Sequence, residues 1–151
     1  MSVSDRDCRS VRDVVMVGRR DETTDGMPWA LLEGLMALIP CDKVSFPESD
    51  LLLGRSIVHQ ELSGRERVLE VGSTEGHPEF ARCVREFRAW RSPARTGDLI
   101  SVVTWSVFYT RLEVHNTPLF VDYFNEGGQR NGMHIAFPCA PGHMRKISFW
   151  R

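Results

Sequence analysis

The sequence predicts an α+β fold, an antiparallel sheet of about five strands with helices packed against it. Three observations carry that prediction. The apolar residues change period along the chain, from helical spacing to strict alternation and back, so both element types occur. The strand-like runs lie close together, as around Val44 to Leu62 and again at the end of the chain, which joins them as hairpins. Neither GxGxxG nor a Walker pattern is present, so nothing points to a parallel nucleotide-binding sheet.

Residues 4 to 21 carry Val11, Val14, Val15 and Val17 at helical spacing, with Ser4 or Asp5 as the cap. Asp21 to Gly26 is a polar break. A second helix runs from about Met27 to Ile39, with Pro28 tolerated in its first turn. Leu31, Leu32, Leu35, Met36 and Ile39 give it a broad apolar face, and Pro40 ends it. Val44 to Phe46 is a first strand and Ser56 to Leu62 a second, separated by a turn around Asp50 to Gly54. Alternation puts Ile57, His59 and Glu61 on one face of the second strand, and Val58, Gln60 and Leu62 on the other. Gly64 to Gly76 lacks a period and is expected as a loop, with room for a short strand at Val68 to Val71.

Pro78 opens a third helix whose apolar positions are Phe80, Val84, Phe87 and Trp90, and Pro93 closes it. Leu99 to Trp105, β-branched and aromatic, is a strand. Ser106 is placed to cap a helix over Phe108 to His115. Asn116-Thr117-Pro118 restarts it, so two short helices should meet at an angle, the second stopped by Gly127-Gly128. Gly132 to Phe137 and Met144 to Trp150 are the last two strands.

At 151 residues, one domain spanning 1–151 is expected, long enough to bury about 70% of its unfolded surface. A formal charge of −1 gives no general reason for nucleic acid or an anionic membrane to bind. The longest apolar run, around Trp29 to Ile39, falls short of the roughly 20 residues a membrane-spanning helix needs. Cys8, Cys41, Cys83 and Cys139 are widely spaced, with no CxxC pair and no apolar leader ahead of them. Reduced, mostly buried thiols in a cytoplasmic protein are the expectation.

Four stretches carry a family resemblance: CDKVSF, WRSPARTGDLISVVTWSVFYT, LEVHNTPLFVDYF and FPCAPGHMRKISFWR. In order and spacing they resemble the amino-terminal sensor region of actinobacterial LuxR-family transcriptional regulators, a GAF-like domain. The likeness runs from about Asp5 to Arg151. It implies a GAF-like sheet with the last strand inside, beside the first. The helices of the first forty residues would cover one face. The Trp90 helix and the Phe108 to Phe124 helices would cover the other and enclose a ligand pocket. Relatives continue into a DNA-binding helix-turn-helix, whereas this chain ends at Arg151, so DNA binding does not carry over and a stand-alone sensor-like domain is expected. Relatives also often have Asp where Val107 stands, Trp near Val114 and Tyr near Phe120, so the ligand is expected to differ.

The pocket implied in this way is lined by Trp90, Trp105, Phe108, Tyr109, His115, Phe120, Tyr123 and His134, with an apolar or aromatic small molecule as its ligand. Each has a plainer alternative. His115 is a capping or packing histidine, or else a pocket acid, base or donor. Tyr109 and Tyr123 are core aromatics or ligand contacts, and Trp105 and Trp90 are core or platform. His59 and His134 lie in strands where period alone does not choose a side. Glu113 and His115 are two apart on a helix and diverge, and HExxH is absent, so no metal site and no cofactor are expected. Cys83 and Cys139 have no adjacent base that would make them nucleophiles. Arg85, Arg88, Arg91 and Arg95 form a solvated face, with carboxylate binding as the alternative.

Two functions follow from this reading. One is a non-enzymatic sensor domain that passes ligand binding to another chain or to a second copy as a homodimer. The other is a cofactor-independent cyclase or isomerase of a biosynthetic pathway, with His115, Tyr123, Glu113 and Tyr109 as the candidate catalytic residues.

Overall fold

The computed structural model describes residues 4–19, 25–72, 82, 85–90, 101–124 and 131–151, with 123 and 124 described by backbone only. Six strands form one antiparallel sheet in the order β3-β2-β1-β6-β5-β4. They are β1 (Lys43–Asp50), β2 (Arg55–Ser63), β3 (Glu66–Val71), β4 (Val103–Thr104), β5 (Gly132–Ala136) and β6 (His143–Trp150). The last strand lies beside the first at the centre, as the resemblance implied.

The chain enters through α1 (Asp5–Gly18), whose first turn is closed by a reciprocal capping box between Ser4 and Asp7. It crosses α2 (Trp29–Leu38), where Gly34 lets the helices touch: a Cβ there would lie 2.6 Å from a methyl of Val14. Leu32, Leu35 and Met36 of α2 then pack on Val44, Phe46, Val58, Leu62, Ile147 and Phe149, which fill one face of the sheet. Gln60 joins this layer to the loop ahead of α2. Its amide accepts from the Met27 N–H and donates to the Met27 carbonyl, both at 2.7 Å, so a buried polar side chain is fully used.

Three expectations change. The strand count rises to six because residues 66–71 form β3, joined to β2 by a tight turn in which Gly64 has φ +60°. The strand is an exposed edge, so polar residues dilute its period. The strand expected over Leu99 to Trp105 is only Val103–Thr104, with residues 99 and 100 outside the described set. Trp105 leaves the sheet in a 3-10 turn, Trp105–Val107, and its carbonyl accepts from the Phe108 and Tyr109 N–H groups. The helix expected from Phe108 starts later, as α3 (Arg111–His115), because Thr110, in a capping box with Glu113, is the cap in place of Ser106.

The restart at Asn116-Thr117-Pro118 is observed. The Thr117 hydroxyl donates to the Val114 carbonyl and accepts from the Phe120 N–H, leading into a π-helical turn at Phe120–Phe124. Residues 85–90 are helical on either side of Phe87, while the expected start at Pro78, Phe80 and Val84, the stop at Pro93 and the Gly127-Gly128 stop lie outside the described residues. Cys8 and Cys139 are exposed, not buried as expected, and Cys83 lies outside the described residues. Among the described residues, no helix is long and apolar enough to cross a membrane.

Candidate functional site

The second face of the sheet differs from the first in carrying polar side chains under an aromatic layer. Alternation along β6 sends Ile147 and Phe149 to the α2 side, and Lys146, Ser148 and Trp150 to the other. Register completes the row: Ser148 lies opposite Ser45 on β1 and His134 on β5, and His134 lies opposite Val103 on β4. Ser45 accepts a 2.9 Å hydrogen bond from the Trp150 indole.

Above these side chains sit Phe87, Trp90, Trp105, Val114, Leu119 and Phe120, all buried. Phe87 is the hub. Its ring meets Trp90 and Trp105 edge-on at 5.7 and 5.2 Å and stacks on Tyr109 at 5.0 Å. Trp105 also packs edge-on against Trp150 at 5.4 Å, which Gly132 permits, since a Cβ there would lie 3.0 Å from the Trp150 ring. Beside Trp105 opens a cavity of about 350 Å³ lined by Ser106, Tyr109, Arg111, Val114 and Asn131. A second space of about 210 Å³ lies on the other side of Tyr109, against Phe87, Thr117 and Leu119. The larger falls in the range of small-ligand pockets.

The polar groups beneath the aromatics are incompletely bonded. Lys146 is 1% exposed, and its Nζ lies 2.9 Å from the centre of the Trp90 ring. Lys146 Nζ, Ser148 Oγ and His134 Nε2 are buried without a hydrogen-bond partner among the described residues. An aromatic face offers a desolvated ammonium about 2 kcal/mol, less than the several kcal/mol that burying the charge costs. Burial accordingly pushes the Lys146 amine far below its ordinary value. His134 is pushed down to about 3, chiefly by burial and then by Lys146, while a hydrogen bond to the Ala89 carbonyl works the other way. With Nδ1–H donating to that carbonyl, the Nε2 lone pair is left facing the interior.

The residues singled out in the sequence separate. Trp90, Trp105, Phe120 and His134 are buried in this layer, with Phe108 and Tyr109 packed at its margin. Tyr109 has already committed its hydroxyl, which accepts from the Arg88 N–H at 2.6 Å. His115 stacks on Phe120 at 4.3 Å and buries an unpartnered Nε2. Glu113 faces solvent, its carboxylate held below its ordinary range by the Thr110 N–H and hydroxyl that it caps. The structure therefore does not bring Glu113 into the aromatic layer. Tyr123 lies in the π-helical turn, and its side chain is outside the described set. His59 sits near Glu61, which pairs with Lys43 at 2.9 Å. Arg85 and Arg88 are exposed, and Arg91 and Arg95 are outside the described residues. Val107 is 71% exposed, so only Val114 and Phe120 of the three altered positions face the interior.

Lys146 and Ser148 were missed because β6 reads as an apolar central strand. The available signal was the alternation Lys146, Ser148, Trp150 against Ile147 and Phe149. Among the described residues, no three His, Cys, Asp or Glu side chains converge as a metal ion would require.

No family model and no curated protein matches the chain. Among solved structures, the LBD domain of VqsR from Pseudomonas aeruginosa is similar over 97% of this chain and 80% of that chain, at 11% identity and a TM-score of 0.49.

Proposed function

We propose that this chain is a small-molecule-binding domain of the sensor type found in LuxR-family regulators, with a GAF-like use of its sheet. The ligand is an apolar or aromatic molecule held between the β1-β6-β5-β4 face and the described parts of the layer above it, Phe87 to Trp90 and Trp105 to Phe120. The observation that carries the reading is the set of buried, unpartnered polar atoms on that face, beneath an aromatic layer that also borders a cavity. A core without a ligand function would replace them by apolar groups, because each unpaired buried polar group costs about 1–3 kcal/mol. The sequence resemblance adds the sensor role. Binding would be passed on through α3 and the π-helical turn to another chain or a second copy.

The enzymatic alternative draws less support, since Glu113 is exposed and caps the Thr110 N–H, and the Tyr109 oxygen already accepts from the Arg88 N–H. The test is to purify the chain, release small molecules by denaturation and identify them by mass spectrometry, then return them to the stripped protein. One molecule recovered unchanged, rebinding with a raised melting temperature and lost on Trp105→Ala, is the expected result. Steady conversion of that molecule would reject the sensor reading in favour of an enzyme.

A further inference from the structure

We propose that Lys146, Ser148 and His134, on the sheet face beneath the aromatic layer that borders the cavity, bind the head group of the ligand, and that this ligand is an acid, an aromatic or apolar body bearing a carboxylate or comparably acidic group. The inference rests on the ligand-binding reading above and adds the chemical class of the ligand.

The argument starts from what the three groups offer. Ser148 and His134 are directly opposite across β5 and β6, which brings their side chains to about 5 Å. Lys146 is one step along the same strand face, with Ala136 opposite it on β5. An amine, a hydroxyl and an imidazole lone pair thus lie on one face of two neighbouring strands, the amine under Trp90, and all three are without a hydrogen-bond partner among the described residues. A carboxylate takes hydrogen bonds from the Lys146 ammonium and the Ser148 hydroxyl. The Nε2 lone pair of His134 accepts from a hydroxyl next to the acid.

Among the described residues, no carboxylate faces Lys146 as a counter-charge. Burial pushes the Lys146 amine well below its ordinary value, and among the described residues no opposite charge offsets it. On β5 the titratable side chain facing it is His134. On β1 and β2, Lys43, His59 and Glu61 share its side of the sheet, but Glu61 is taken up by Lys43 and His59. In the turn at 85–90, Glu86 and Arg88 are exposed, and Arg85 is exposed with its guanidinium on the Leu51 carbonyl. An acidic ligand provides the missing charge. It arrives as the anion, Lys146 takes one proton from solvent, and an ion pair forms where a lone ammonium could not be held. A carbonyl ligand would instead leave a buried iminium with the same lack of counter-charge, and the neutral His134 has no proton to give to the departing water.

The test uses four matched probes on the full chain: β-naphthoate, β-naphthamide, methyl β-naphthoate and β-naphthaldehyde, each followed by titration calorimetry at neutral pH. The naphthoate should bind about tenfold or more tightly than the amide or ester. Repeating the titration in buffers of different ionisation heat should show uptake of about one proton per naphthoate bound and none for the ester. Lys146→Met should remove both the preference and the proton uptake while retaining ester binding. The proton count on the unaltered chain decides the matter even if that variant does not fold. Equal binding of acid and ester without proton uptake overturns the acid inference and leaves the ligand-binding reading intact. A borohydride-stable mass increase on Lys146 with the aldehyde, and no preference for the acid, overturns it in favour of a nucleophilic lysine. If none of the four binds, the pocket and the inference fall together.

Discussion

His134 shows how one residue can tie stability to the site. Its ring is 1% exposed and its value is held near 3, whereas an unfolded histidine titrates near 6.5. Between those values the unfolded chain binds the extra proton and the folded chain does not, so stability rises with pH there. It is fully present above about pH 6.5 and lost as pH falls toward 3, with a slope approaching about 1.4 kcal/mol per pH unit. His134→Asn keeps an amide donor for the Ala89 carbonyl and removes the titration. Urea midpoints at several pH values between 4 and 6.5 should therefore fall less steeply with acid in the variant. Parallel slopes would show that His134 is protonated in the folded chain. The position could be named from the sequence but not its state, since a strand histidine gives no sign of which face it takes. Lys146 was harder still, because the apolar residues of β6 suggested the strand and hid a cation pointing inward.

At the scale of elements, Gln60 holds the loop before α2 against β2. Its two 2.7 Å hydrogen bonds to Met27 reproduce the pairing of one more strand residue, and Gly26, at φ +83°, makes room for them. A Cβ on Gly26 would lie 2.6 Å from the Gln60 oxygen, so no other residue fits there without moving the clamp. Gln60→Ala leaves the Met27 N–H and carbonyl without their partner and opens a cavity, and should cost about 2–4 kcal/mol in chemical denaturation. A loss below about 0.5 kcal/mol, the scale of a neutral surface change, would mean that water replaces the amide freely. Element legibility follows the same physics. α2, with its apolar face, could be read from period, and β6, buried on both faces, from its apolar and aromatic residues. β3 could not, because an exposed edge strand carries Glu66, Arg67 and Glu70 and has little apolar period to show. β4 was read too long because β-branched and aromatic residues continue past Thr104, although Trp105 turns out of the sheet to pack on Trp150 and Phe87. The cap at Thr110 outweighed Ser106 because it has Glu113 three residues on to close the box.

At the scale of the whole molecule, the sheet separates two cores that share strands but not side chains. Ile147 belongs to the α2 side, although its neighbours Lys146 and Ser148 point the other way. Val114 belongs to the aromatic side and lines the larger cavity. Strand alternation lets one side be tuned for packing while the other carries polar groups left unpaired among the described residues. Ile147→Val should cost about 0.5–1.5 kcal/mol, and Val114→Ala about 1–2 kcal/mol. If the two layers are independent, the double variant should lose their sum to within about 0.5 kcal/mol in urea denaturation. The ligand responses should divide in the same way. Val114→Ala should change the dissociation constant of whatever molecule the pocket holds, and Ile147→Val should leave it within about twofold. A coupling well above the additive limit, or a ligand affinity that follows Ile147, would mean that the sheet transmits strain between its faces. In that case the packing around α1 and α2 would be part of how binding is signalled, and not only a support for the strand that carries Lys146.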